Sequence, residues 1–465
     1  MLEKNLESKY RIGERQYAGR SWRKSLWLVM SSVTFVALFP FGLWAQAGSS
    51  PAQAGGFGTG AQTPLRFGGE SAPNNQVSLS MGASTLYDDN VFSIGSQRVS
   101  DEAVSLSSQL NMMRQTEHVT INFGYTPFFM LYRQNSQFDR LNHAASLSMN
   151  FQLTPRFSLG LQDTFSYLDG IYPTLTGQEI LSGSASPTAL NQAIVPPTAR
   201  TLSNTGGMNL TFTKTRRTSL TLSGGYTQQK FGSQAIAGQQ LYSSRGFSGG
   251  LQYQYRVTEH TNFGLLLLHQ DSTYTGGEVF GNRLRSQSES AFLSIGSHLS
   301  NSVSVTIFGG PQYVRTIGAT VPGAGIAGKF LGAGGGSITK EVHKTALNLS
   351  VQRTVSSGGG LYAEVVQTSA DFGVRRRLVG QWEAGVHGMG ARVDTSLFQG
   401  TPGNTESLTG GIDFSRPLRG GSALRISYEN MHQLSGGTLP ISADFLRNEV
   451  TISFDFRLKA IPLGQ

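Results

Sequence analysis

One pattern governs this chain from Gln76 onward: apolar and polar residues alternate, stop at a turn, and start again. In QVSLSMGASTLYDDNVF, residues Gln76 to Phe92, the apolar Val77, Leu79, Met81, Ala83 and Tyr87 are interleaved with Ser78, Ser80, Gly82 and Ser84, until Asp88-Asp89-Asn90 breaks the pattern. A period of two with one apolar face is a strand that is wet on one side only. The pattern returns roughly every 12 to 15 residues to the C-terminus, about the length of a tilted membrane-crossing strand plus its turn. It predicts one large closed sheet.

Composition bears on what covers the apolar face. Hydrophobic residues are 38% of the 465, and only with its many Gly counted in does the chain reach the roughly 45–50% of a soluble domain, so a large buried core is not expected. Charged residues are 14% and Gly supplies 58 positions, against about 25% charged in soluble domains. With 27 Phe and 15 Tyr, this fits lipid on one face and a wet lumen on the other. A soluble β-sandwich would show the same alternation, but two sheets must pair apolar faces into a core that this composition does not supply. Cys is absent, in keeping with an exported bacterial protein that needs no disulfides.

The N-terminus sets the compartment. Lys4, Lys9, Arg11, Arg15, Arg20, Arg23 and Lys24 outweigh Glu3, Glu7 and Glu14 ahead of an apolar run from Leu26 to Trp44, which ends at Ala45-Gln46-Ala47. A basic leader, an apolar stretch and a small-x-small site read as a cleaved signal peptide over 1–47. The alternative is an uncleaved anchor, against which Ser31, Ser32, Pro40 and Gly42 interrupt the run. Much of the formal +9 sits in this leader, so the basic pI is no argument for nucleic-acid binding. Residues 48–75, rich in Gly, Pro, Ala and Ser, read as a flexible periplasmic arm.

The barrel is expected over 76–458, with a tail at 459–465. Strands are expected at 76–92, 103–113, 119–129, 145–153, 157–167, 201–213, 219–230, 243–255, 261–274, 287–299, 303–315, 330–342, 344–354, 361–376, 381–393, 405–415, 422–432 and 448–458. This is an all-β, antiparallel, up-and-down transmembrane barrel of about 18 strands. Eight short connections alternate with nine longer ones rich in Gly, Ser, Asn, Asp and Pro, which puts short turns and both termini in the periplasm. The stretch Leu168 to Arg200 carries Pro173, Pro187, Pro196 and Pro197 and is the candidate surface loop or constriction.

If the apolar parity faces lipid, the other parity lines a pore. Early strands place Ser80, Thr120, Asn122, Ser148, Asn150, Gln152, Thr211 and Ser223 there; the last five place Asp371, Arg375, Glu383, His387, Asp413, Arg425, Glu429, Asp455 and Arg457. A lumen position is the cheaper one for a charge, since Arg or Lys at the lipid midplane costs roughly 2–4 kcal/mol. Such a wall either selects solutes or is a salt-bridge ladder stiffening neighbouring strands; the interleaved signs favour the ladder. Asp163 falls on the apolar parity beside Leu161 and Phe165, and Glu364 has the same problem if Phe372 and Val374 face lipid; a β-bulge would explain either. Tyr87, Tyr167, Tyr226, Tyr255, Tyr313, Tyr362 and Trp382 lie near strand ends, where interfacial girdles form.

Apparent catalytic motifs are discounted. Gly246-Phe247-Ser248-Gly249-Gly250 matches G-x-S-x-G, but lies in continuous alternation instead of a strand-to-helix elbow. Gly323 to Lys329 is nearly a P-loop, yet Phe330 stands where Ser or Thr is required and no helix follows. The eight His show no metal spacing, so no cofactor or metal is expected. Asp88-Asp89 could bind Ca²⁺ in a surface loop, although paired acids there are usually only solvated.

Tyr87-Asp88-Asp89-Asn90-Val91-Phe92 resembles the Tyr-(Asp/Thr)-(Asp/Ser)-Asn-(Ile/Val) turn that ends the first strand in the β-barrel porin 2 family of Gram-negative bacteria. Arg447 to Phe456, RNEVTISFDF, is similar to that family's closing strand. The resemblance covers the two ends of the barrel. It implies an outer-membrane barrel, in some members tied to exopolysaccharide or capsule export, with no shared catalytic residues. Implied partners are outer-membrane lipid and lipopolysaccharide, the barrel-assembly machinery and polysaccharide-export components. The expectation is a channel or secretion barrel in the outer membrane. A surface-loop adhesin or structural barrel is the alternative, and an outer-membrane hydrolase the third reading.

Overall fold

The computed structural model describes residues 75–91, 93, 98–136, 139–168, 200–232, 242–276, 283–317, 328–358, 362–394, 404–436 and 444–463. The signal peptide, nearly all of the arm, most of the Leu168–Arg200 connection and most of the Gly323–Lys329 motif lie outside them.

Among the described residues the chain forms β1 (Gln76–Asp88), β2 (Asp101–Gln115), β3 (Val119–Tyr132), β4 (Arg140–Thr154), β5 (Phe157–Leu168), β6 (Thr201–Thr215), β7 (Thr218–Phe231), β8 (Ser243–Arg256) and β9 (Thr261–Thr275). It continues through β10 (Arg283–Ser300), β11 (Val303–Ile317), β12 (Gly328–Val342), β13 (Thr345–Gly358), β14 (Tyr362–Arg377), β15 (Glu383–Asp394), β16 (Asn404–Pro417), β17 (Ser422–Gly436), β18 (Phe445–Arg457) and a short β19 (Ile461–Pro462). Every strand expected from the alternation is present. Each pairs antiparallel with its neighbours in sequence, and β1 pairs with β18, from Ser80 opposite Arg457 to Asp88 opposite Glu449. The sheet is a closed 18-strand barrel, the construction of outer-membrane proteins.

The tail extends the seam. Gln76 and Val77 pair with Pro462 and Ile461, Leu458 N–H donates to Leu79 O at 2.9 Å, and Leu463 N–H donates to Asn75 O at 3.0 Å. The first strand therefore has a partner along its whole length on the closing side. No N–H or C=O edge is left for lipid, which could not satisfy it.

Most short turns share a local device. Thr154 Oγ1 accepts from Arg156 N–H at 3.3 Å and Phe157 N–H at 3.1 Å. Thr215, Thr258 and Ser300 accept the N–H two residues on, each at 3.2 Å. A hydroxyl bonded to its own backbone ahead fixes a turn. The ladder slips at Gln152/Thr154, Thr213/Thr215 and His298/Ser300, so each bulge sits beside a turn and none disturbs the membrane-crossing register. A fourth slip, at Ser357/Gly358, lies beyond Glu364 at the strand end, and Glu364 keeps unbroken register with Phe372 and Val374, so no bulge moves it off their parity.

Closure fixes a register that can be tested. Because the chain has no Cys, Ser84→Cys with Ser453→Cys, which face each other across the seam, should oxidise to an intramolecular disulfide within the folded barrel. Ser80→Cys with Ser453→Cys, four positions out of register, should not; equal efficiency of both pairs by gel shift would contradict the register.

Candidate functional site

The sheet sorts side chains by parity. Met81, Leu106, Phe129, Leu222, Leu251, Leu267, Ile307, Leu349, Ile412 and Ile452 are exposed on the outside, while the hydroxyls and amides opposite in parity turn inward. There Ser84 Oγ bonds Ser105 Oγ at 2.7 Å and Thr211 Oγ1 bonds Thr221 Oγ1 at 3.0 Å. An apolar outside on a closed barrel is a lipid face, and places this chain in the outer membrane.

All nine charged candidates fall on the inward parity of β14 to β18, and the pairing orders them in rows. Moving toward the short turns, Asp371 precedes the row Gly373–His387–Gly411–Glu429–Glu449, and the next inward row is Arg375–Gly385–Asp413–Ser427. Then come Glu383, Arg425, Asp455 and Arg457. Glycine makes room for the charges. A Cβ at Gly385 would strike the Asp413 carboxylate, one at Gly411 the His387 ring at 2.5 Å, and one at Gly82 the Asp455 carboxylate at 2.8 Å. A strand glycine gives up packing and backbone entropy; at these three positions it supplies the floor on which a neighbouring charge lies.

The row is not a continuous ladder. Arg375 Nη2 reaches Asp413 Oδ2 at 3.6 Å across Gly385, and Arg377 Nε donates to Glu383 Oε1 at 3.2 Å. Ser350 Oγ donates to Asp371 Oδ1, and Arg425 feels Asp455, Asp413 and Arg375 only through space. His387 is 2% and Asp413 3% exposed, yet both ring nitrogens of His387 and Oδ1 of Asp413 have no hydrogen-bond partner among the described residues. Arg375, Glu383, Arg425 and Asp455 are half-buried, and Arg457 is exposed. Access thus opens toward the periplasmic mouth and closes toward the middle of the wall.

The Tyr87–Asn90 motif does something the sequence did not show. Tyr87 faces lipid opposite Val450, whereas Asp88, 1% exposed, turns inward to Arg447, 5% exposed. Arg447 Nε donates to Asp88 Oδ2 at 2.9 Å and its Nη2 to Glu449 Oε1 at 2.5 Å. Asp89 holds Asn448, accepting its N–H at 2.7 Å and its Nδ2 at 2.6 Å, and Asn90 Nδ2 donates to Leu446 O at 3.0 Å. Val91 then packs with Ala103, Met130 and Tyr132 under the turn. So Asp88-Asp89 is neither a solvated pair nor a metal site; it clasps the last strand to the first. Its signal was available only jointly, since Asp88 and Arg447 are 359 residues apart. The two segments that carry the family resemblance are the two sides of this clasp.

Asp163 is a correction. No bulge rescues it: Leu147, Asp163 and Gly206 pair in unbroken register, and the carboxylate lies on the outer face, where Asn204 Nδ2 donates to it at 3.0 Å. Gly246 to Gly250 lies within continuous β8, without the elbow a nucleophile needs. Of the girdle residues, Tyr226 packs on Phe247 at 5.1 Å and Tyr313 on Phe330 at 4.8 Å on the outer face, and Arg416 lies over the Trp382 ring at 5.6 Å. The side chain of Tyr362, like that of Glu364, lies outside the described residues.

No family model matches the chain, and no curated protein matches it in sequence. Among solved structures, the outer-membrane protein OpdK of Pseudomonas aeruginosa is 11% identical with a TM-score of 0.41, covering 82% of this chain and 99% of its own. OccK2 (OpdF) of the same organism is 13% identical at 0.43, covering 83% and 98%. Its siderophore receptor PirA is 9% identical at 0.40, covering 83% and 81%. Likenesses this distant carry no argument about what this barrel does.

The clasp has a measurable consequence. Arg447→Met removes the guanidinium that the buried Asp88 and Glu449 share and should destabilise the barrel by about 3–5 kcal/mol. Adding Asp88→Asn and Glu449→Gln to Arg447→Met should recover most of that loss. Urea unfolding of the detergent-folded barrel measures both.

Proposed function

We propose that the barrel is a passive channel for hydrophilic solutes, with Asp371, Arg375, Glu383, His387, Asp413, Arg425, Glu429, Asp455 and Arg457 forming the charged side of its conducting wall. The observation that carries this reading is the parity itself: hydroxyls, amides and charges face inward around a closed ring, and apolar side chains face out. A barrel with no aqueous content would have no use for Arg375 and Arg425 on its inner wall, where each leaves Nε without a hydrogen-bond partner among the described residues. Arg425 and Asp455, one charge of each sign, lie on adjacent inward rows close to the periplasmic mouth, with Arg457 beyond them.

A sugar polymer is the second cargo to test, favoured by the resemblance of the clasp segments to the β-barrel porin 2 family, some of whose members serve exopolysaccharide export. In that case polysaccharide-export components in the periplasm are partners of the mouth formed by the short turns.

Folded protein in planar bilayers should conduct, and no conductance at any voltage would sink the channel. Under a salt gradient, Arg425→Gln should move the reversal potential toward cation preference and Asp455→Asn toward anion preference. Reversal potentials unmoved by either change would remove this wall from the conducting path. Loss of exopolysaccharide secretion in a deletion strain, with small-solute uptake intact, would favour the polymer.

A further inference from the structure

The lipid face is not uniform. On β1 the outward side chains Val77, Leu79, Met81, Ala83, Thr85 and Tyr87 carry no charge from end to end. On β9 the apolar series stops after Phe263, Leu265 and Leu267, and the next outward residues are His269 and Asp271; on β10, Ile295, Leu293 and Ala291 are followed by Glu289, Gln287 and Arg285. His269 Nδ1 bonds Glu289 Oε1 at 2.6 Å, and Arg285 Nε donates to both oxygens of Asp271, at 2.9 and 3.1 Å. Gln287 Nε2 adds a bond to Asp271 at 3.2 Å. With about 3.4 Å per residue and a strand tilt near 40°, His269 lies roughly 16 Å above Phe263, inside an apolar band about 25 Å tall. Ion pairs at that depth are costly against acyl chains.

Beside them the wall is concave. A groove of about 700 Å³ is lined by Gly249, Ala291, Pro311, His269 and Glu289, and rimmed by Tyr313 and Phe330. A Cβ at Gly249 or Gly332 would meet nothing within 4 Å, so the barrel's own packing does not require glycine at either position. Both are strand interiors, where glycine is otherwise unfavourable. Next to the groove, Phe330 stands 78% exposed, its ring against Tyr313. A hollow floored by glycine, a projecting aromatic ridge beside it, and polar side chains bonded to one another all lie on one face.

We propose that this face, the outward side of β8 to β12, docks a second copy of the same chain. Small residues in a membrane interface let two backbones approach closely, and a two-fold contact needs a patch that carries both ridge and hollow. Here the Phe330 ridge of each copy would enter the groove of the other, and the His269–Glu289 pairs would be shielded from acyl chains between two protein walls. Outer-leaflet lipid is the weaker occupant: Arg285 is already held by Asp271, and acyl chains cannot satisfy the polar side chains beside it.

The test uses the full chain in the outer membrane of an expression host. Gly332→Cys should cross-link to a two-chain species with a short bifunctional thiol reagent, and Ala83→Cys, outward on β1, should not. In mild detergent, native mass spectrometry should give two chains for the unaltered protein and one for Gly332→Trp, which puts an indole on the outer face opposite the groove residue Pro311, at a position where a Cβ meets nothing within 4 Å. Folding of the Trp variant is checked by its heat-modifiable gel mobility. A one-chain mass with cross-linking no greater at 332 than at 83 would overturn the proposal, as would retained lipid on a one-chain species or a two-chain mass that survives Gly332→Trp.

Discussion

Backbone hydrogen bonding in lipid is the constraint from which this structure follows. Hydrocarbon offers no partner to an exposed N–H or C=O, so a sheet in a membrane must have no edge. Here that condition falls on a single pairing, β1 with β18, because every other strand neighbours its successor in sequence and finds its partner through a connection. The seam joins segments more than 350 residues apart, and the loop-closure entropy of bringing them together grows only slowly with that distance. What such a pairing lacks is a turn to set its register. The Asp88–Arg447–Glu449 triad and the Asp89–Asn448 contacts supply that register, since a slip of one residue would leave Asp88 and Arg447 on opposite faces, one of them turned to lipid.

Seen this way, the polar cluster at the top of the seam is specific more than it is stabilising. A buried ion pair often contributes little over a well-packed apolar replacement, whereas breaking one partner is expensive. Two carboxylates against one guanidinium is a poor arrangement for raw stability and a good one for penalising mispairing. The tail works at the other end in the same sense, with Ile461 and Pro462 completing the partner of β1 where β18 has ended.

The fold was legible in the sequence because a period of two records which way each side chain points, and lipid outside makes that record consistent over eighteen strands. Strand membership, the parity of the charged residues and the closing of the sheet could be read directly. What could not be read depends on neighbours. Whether His387 is buried or wet is decided by Gly411 on the adjacent strand, and whether Asp88 is a turn residue or a clasp is decided by Arg447. Alternation assigns a face to one strand at a time; it carries no information on what lies across the ladder. Asp163 shows the converse failure, a position where parity was right and the inference that charge must avoid the outer face was wrong, because Asn204 stands next to it on β6.

The same logic separates the two charged regions of the barrel. Inside, Arg375, Asp413, Arg425 and Asp455 are spread over rows with glycine between them, so most are held near one another without direct bonds. Outside, Arg285 and Asp271 are bonded through two nitrogens and His269 to Glu289 through one. A charge beside water can remain loosely partnered because solvent screens it, while a charge facing hydrocarbon needs an immediate partner, an opposite charge as at Asp271 or a hydrogen-bond donor as at Asp163. The loosely partnered set is therefore the one that can respond to a solute, and the tightly paired set is the one built to be covered.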